Sequence, residues 1–180
     1  LIAIAMTGNG ALNVQTGSLA LAQDTTLTGG LTIAQSATLS LGLSTAIDLT
    51  VSSAYQINGT LNANNGTVTV TASSGTLGQT GSLLVSSGGS LRFNGGTHTI
   101  NGIFNNQGAS TLEGNSAVTF GSTALLTSLG SPVTIDTATL VLPAGTGSLT
   151  IGTLNLLAGQ VTCPRALTIS GLNWTSGTLS

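Results

Sequence analysis

Thr67-Val68-Thr69-Val70-Thr71 alternates hydroxyl and aliphatic side chains, and its centre, Val68-Thr69-Val70, returns along the whole chain. The same apolar–Thr–apolar triplet is spelled Leu31-Thr32-Ile33, Leu49-Thr50-Val51, His98-Thr99-Ile100, Val118-Thr119-Phe120, Val133-Thr134-Ile135, Leu149-Thr150-Ile151 and Leu167-Thr168-Ile169. Leu12-Asn13-Val14 and Leu83-Leu84-Val85 keep the outer residues and change the middle one. Alternation with period two describes a strand that buries one face. β-Branched side chains suit that pleated setting. Ten triplet centres run from Asn13 to Thr168, 155 residues in nine steps, or about 17 per step. Regular return at such a spacing is the mark of a stacked repeat.

A second apolar strand follows most triplets, as in Ala37-Thr38-Leu39-Ser40-Leu41, Thr139-Leu140-Val141-Leu142 and Leu154-Asn155-Leu156. Longer intervals hold a third, such as Thr60-Leu61-Asn62 or Thr111-Leu112-Glu113. Asn-Gly pairs beginning at 9, 58, 65, 94 and 101 mark turns between them. No window carries a sustained helical period. The pattern predicts an all-β protein, a parallel β-solenoid (β-helix) of about ten coils with roughly 17 residues per coil, filling 1–180 as a single domain. An antiparallel β-sandwich is the alternative, since short strands with regular turns also fit it.

Composition agrees with stacking. Charged residues make up 3% of the 180, against roughly 25% in an ordinary domain. They are Asp24, Asp48, Arg92, Glu113, Asp136 and Arg165, with no lysine. Equivalent positions on successive coils lie side by side, where like charges repel. Thr, Ser and Asn can instead form ladders of hydrogen bonds. The 40% hydrophobic content excludes a disordered chain. The lack of basic clusters argues against nucleic acid, whose phosphates need Lys and Arg. No run of about 18 apolar residues is present, so membrane insertion as a helix is not expected. Cys163 stands alone, which rules out an internal disulfide and suits a small buried side chain. The short apolar opening without basic residues or an initiator Met suggests a segment of a longer, processed or polymerising chain.

The acids are poor candidates for catalysis. Measured from the nearest triplet centre, Asp24, Asp48, Glu113 and Asp136 fall in different registers. No two are therefore expected in one column on adjacent coils, whereas glycoside hydrolysis needs two carboxyls about 5–10 Å apart. We expect no enzyme, no catalytic residue and no cofactor. His98 occupies an apolar slot and should point inward as a neutral imidazole bonded to backbone. One histidine without clustered Cys or acids does not make a metal site. The feature able to carry function is the threonine file. If the triplets align, Thr32, Thr50, Thr69, Thr99, Thr119, Thr134, Thr150 and Thr168 form one outward, uncharged face. That face could pack against another rod, or order water as ice-binding solenoids do.

ALTISGLNWTSGTLS (Ala166 to Ser180) and GSLTIGTLNLLAG (Gly147 to Gly159) resemble the coils of bacterial extracellular β-solenoids, the filamentous-haemagglutinin-like adhesins and autotransporter passengers. The resemblance is one of repeat style and covers nearly the whole chain. It implies export to the bacterial surface or the medium, and a fibrous structural or adhesive role. The implied partners are further copies in a homo-oligomer or filament, with a surface glycan or host receptor as ligand. Unprotected strand edges and near-zero charge predict self-association through the solenoid ends and the Thr face. Two other readings remain: an ice-binding protein using the Thr file, and a carbohydrate-binding or carbohydrate-active solenoid.

Overall fold

A computed structural model describes residues 2–4, 10–42 and 44–180. Asn9, and Leu1, Ala5 and Met6 of the apolar opening, lie outside the described residues. Among the described residues there is no helix, and every strand pair is parallel. The chain is a parallel β-solenoid, and the antiparallel sandwich is excluded.

Two hydrogen-bonded sheets wrap the core, one of nine strands and one of 13. The larger sheet divides into two flanks, giving each coil three faces. Face I holds Ile2–Ile4, Gly17–Leu21, Ala37–Leu41, 60–63, 82–85, Ile103–Asn106, Leu125–Leu129, 149–151 and 167–169. Face II holds Thr25–Leu27, Leu49–Val51, 65–70, 88–94, Ala109–Glu113, Val133–Ile135, 153–156 and 171–174. Face III is the nine-stranded sheet, from Leu12–Val14 to Thr178–Leu179.

The coil is longer than the triplet spacing suggests. On face III one inward column runs Leu12, Leu31, Tyr55, Gly75, His98, Val118, Leu140, Val161, Leu179. Eight steps cover 167 residues, so the solenoid has about eight turns of about 21 residues, not ten of 17. The reason is that successive triplets lie on different faces. Asn13 and Thr32 are on face III, Thr50 and Thr69 on face II, and Thr150 on face I. Counting triplets therefore counts faces unevenly, not turns.

The strands alternate as the sequence implies. Leu31-Thr32-Ile33, Leu49-Thr50-Val51 and Val133-Thr134-Ile135 each bury their outer residues and leave the threonine partly exposed. Stacked triplets place Leu27, Val51, Val70, Phe93, Leu112, Ile135 and Leu156 in one column, all buried. Burial of each such side chain stabilises by about 1.5–3 kcal/mol. The corner between faces I and II falls at Asn65-Gly66. Gly66 has φ 96°, and a Cβ there would lie 2.2 Å from the Ile47 carbonyl oxygen. Only glycine fits that turn.

A second corner is held by a polar cluster that the triplet pattern does not signal. Asn106 is fully buried, in a column where the neighbouring coils carry Val85 and Leu129. Its Nδ2 donates to the Ala109 carbonyl at 3.0 Å and to Ser110 Oγ at 2.7 Å, while its Oδ1 accepts from the Gly108 N–H at 2.9 Å. Ser110 Oγ in turn donates to the Leu129 carbonyl. A buried amide is tolerated because its groups are bonded.

Candidate functional site

The eight threonines point outward, but they do not share one face. Thr32, Thr99 and Thr119 lie on face III. Thr50, Thr69 and Thr134 lie on face II, and Thr150 and Thr168 on face I. Register supplies the true neighbours. The face III file reads Asn13, Thr32, Gln56, Thr76, Thr99, Thr119, Val141, Thr162. The face II file reads Thr26, Thr50, Thr69, Arg92, Thr111, Thr134, Asn155, Asn173. Thr76 escaped the sequence pattern because Gly75 fills its leading apolar slot. Thr26 escaped because Thr25 does so, burying a hydroxyl that donates to the Gln23 carbonyl at 3.0 Å.

Charge is segregated among the faces. Asp24, Asp48, Arg92, Glu113 and Asp136 all lie on face II or at the ends of its strands. No charged residue falls on the strands of face I or face III. Arg92 bridges to Glu113 on the next coil, with Nε 2.6 Å from Oε1.

One expectation about the acids is overturned. Thr25 pairs with Leu49, so Asp24 and Asp48 stand in one column on adjacent coils. The separation of 24 residues matches this long coil, whose extra residues follow Leu41; reckoning from triplets on different faces hid the match. The Asp24 carboxylate accepts the Asp48 N–H at 2.9 Å, and the Asp48 carboxylate accepts the Thr67 N–H at 2.6 Å. Each acid thus accepts the backbone N–H of the residue stacked on it in the following coil. Both side chains are exposed, outside any cavity.

His98 is fully buried, as its slot implies. Its Nε2 donates to the Gly95 carbonyl at 2.8 Å, because a carbonyl can only accept. That fixes Nδ1 as the unprotonated nitrogen, and Nδ1 has no partner. The ring lies 5.7 Å from Tyr55, nearly parallel, and 4.8 Å from Phe93. Two rings two coils apart can stack because Gly75 lies between them; a Cβ there would sit 1.9 Å from the Tyr55 ring. Burial pushes His98 below the ordinary imidazole value, partly offset by the Gly95 bond. Burial also raises the Tyr55 phenol, which stays neutral. The nearby core void is about 20 Å³ and lined only by apolar or aromatic side chains such as Leu77, Phe93 and Ile100. It offers a ligand nothing polar to hold. Among the described residues no three His, Cys, Asp or Glu side chains come together as metal ligands.

A sizeable surface depression lies on face III. An open groove of about 510 Å³ runs over Ala54, Ser74 and Gly75, edged by Thr32, Gln56, Thr76, Thr97 and Thr99. Ser74–Thr76 and Thr97–Thr99 form two adjacent double rows of hydroxyls there. None of these hydroxyls has a side-chain hydrogen bond within the protein, and Gln56 bonds only Asn58 at 2.9 Å.

Compared with known family models, curated proteins and solved structures, the chain matches none.

Proposed function

We propose that this protein is a rigid structural element of an extracellular bacterial fibre or adhesin, with face III as the surface that packs against a second copy. The observation that carries this reading is the charge segregation. Four acids and Arg92 collect on one side of the rod, giving face II a formal net charge of −3. Such a face repels its own kind and stays in water. Around Ser74–Thr76 and Thr97–Thr99, face III presents neutral hydroxyls without side-chain hydrogen bonds inside the protein, able to donate and accept across an interface. Parallel ladders on faces II and III join each coil to its neighbours, which makes the rod stiff along its axis. The fibrous style of the chain's coils supports export and a mechanical role, with no catalytic step.

The ice-lattice reading has less support, because on face III only two adjacent coils offer double hydroxyl rows. Gln56 and Ala117 break the regular array on either side.

Electron microscopy and light scattering over a concentration series test the proposal. We expect side-by-side bundles that Thr99→Lys with Thr119→Lys disperses, while Thr50→Lys with Thr69→Lys on face II leaves them intact. Rods that stay single at every concentration, or that bundle equally in both variants, would overturn it.

A further inference from the structure

The groove on face III has a shape and chemistry that lateral packing of flat faces does not use. We propose that it is a binding site for a neutral, hydroxyl-rich carbohydrate chain. Its volume falls within the range of ligand clefts, roughly 300–1,000 Å³. Its origin lies in the core. Gly75 brings the strand backbone directly against the Tyr55 ring, and Ala54 and Ser74 add little bulk above it. The outer surface is dented where the inner surface holds the Tyr55–His98 stack.

The walls set the ligand class. Thr32, Thr76, Thr97, Thr99 and Ser74 present five hydroxyls, each with one donor and two acceptor lone pairs. The Gln56 amide NH₂ donates to Asn58, which leaves its carbonyl oxygen to accept. An apolar ligand would strand all these groups without partners, at a cost for each one desolvated. An anionic ligand would meet no cation, since the nearest lie on other faces or their edges. A polyol fits both demands, because its hydroxyls also donate and accept. The floor is peptide plane and the Ala54 methyl, against which the C–H side of a sugar can rest. Within the groove no aromatic ring is offered for stacking, because Tyr55 is buried. The affinity should therefore be weak, on the order of millimolar.

The groove shares face III and Thr99 with the proposed packing surface, so it is best tested on the dispersed protein at low concentration. Amide NMR during titration with cellohexaose, maltohexaose and mannohexaose reads it directly, with trigalacturonate as the anionic comparison. We expect at least one neutral oligosaccharide to shift Gln56, Ser74 and Thr76 and leave face II amides unmoved. Ala54→Trp, which fills the groove, should weaken binding at least tenfold. Gln56→Ala should weaken it several-fold, and serves if the tryptophan variant misfolds. Thr69→Trp on face II should change nothing. Absence of shifts with all three neutral sugars would overturn the proposal. So would shifts that survive both groove variants, or equal binding of trigalacturonate. Changed ice-crystal growth with no sugar response would assign the groove to ordered water instead.

Discussion

Faces II and III carry nearly the same outward pattern, yet they use it differently. On face II side chains bond from coil to coil. Asp24 and Asp48 accept backbone N–H groups of the next coil. Ser90 donates to Thr67 at 3.0 Å, and Thr71 to Ser52 at 3.1 Å. Asn173 donates to Asn155, and Asn155 to Thr134. On face III such links are sparse: among the described residues the one side-chain to side-chain hydrogen bond between its coils joins Thr162 and Ser180. Inside the rod the contrast reverses. Face II stacks aliphatic residues and Phe93, whereas face III packs the one histidine against Tyr55. The lesson is that threonine at a strand centre specifies the strand, while its neighbours one coil away decide whether its hydroxyl is spent or free.

The largest effects should come from breaking the inner sides of the two faces. Gly75→Val puts carbon into the Tyr55 ring, and overpacking of this kind costs about 1–3 kcal/mol or more. Ile135→Ala on the inner side of face II leaves a cavity instead, at about 2–4 kcal/mol. Both lower the midpoint of chemical denaturation. The two separate by near-ultraviolet circular dichroism, where Gly75→Val alone should disturb the tyrosine signal. An unchanged Tyr55 signal in that variant would mean that the ring does not lie over Gly75.

Acid should expose the same asymmetry. His98 is the only histidine, it is buried on face III, and its folded-state value is lowered. Tyr55, facing it across Gly75, stays neutral, and Phe93 carries no charge; no carboxylate lies on face III. A lowered histidine means that the unfolded chain binds the proton first. Its contribution is therefore fully present above the unfolded value of about 6.5 and is lost as pH falls below it, toward the folded value. The slope cannot exceed about 1.4 kcal/mol per pH unit for one proton. Denaturation between pH 7.5 and 5 should show this loss in the native protein and not in His98→Leu. An identical slope in both would place the acid sensitivity elsewhere.

The fold was legible because period-two alternation survives in almost every strand, and no other architecture repeats it so often. The turn length was not. A triplet says that a strand is present without saying which face it joins, and 24-residue and 19-residue coils coexist in one column. Only part of the groove's lining was legible, Thr32 and Thr99 among the outward threonines. Thr32, Thr99 and Thr119 do share a file, but the groove depends on Gly75, a glycine in a slot the pattern reserves for apolar side chains. The Asp24–Asp48 column was hidden for the same reason as the turn length. His98 could be placed inward from its slot alone. The stack with Tyr55 could not, because it spans two coils across a residue with no side chain.

Side-chain ladders provide the finer tests. Asn155→Ala removes two links of the face II chain, and should cost about 0.5–1.5 kcal/mol. Thr99→Ala on face III removes a hydroxyl with no internal partner, so its effect should stay within about 0.5 kcal/mol. Equal losses in the two variants would erase the distinction between a spent face and a free one.

The smallest expected effect concerns the ion pair. Arg92 is half exposed, and its bond to Glu113 spans two coils of face II. An exposed pair of this kind is worth roughly 0.2–1 kcal/mol and is screened by salt. Arg92→Thr with Glu113→Asn would restore the neutral file that face III already has, joining Thr69 to Thr111 without a break. Stability should change by less than about 1 kcal/mol. Association should change more, because the face II formal charge stays −3 while its salt-bridged ridge is gone. If the flattened face II then bundles as face III is proposed to, neutrality along the file is enough to make a contact surface. If it does not, the remaining acids at its margin keep the rods apart, and the margin acids rather than the file decide which side of the rod is exposed to water.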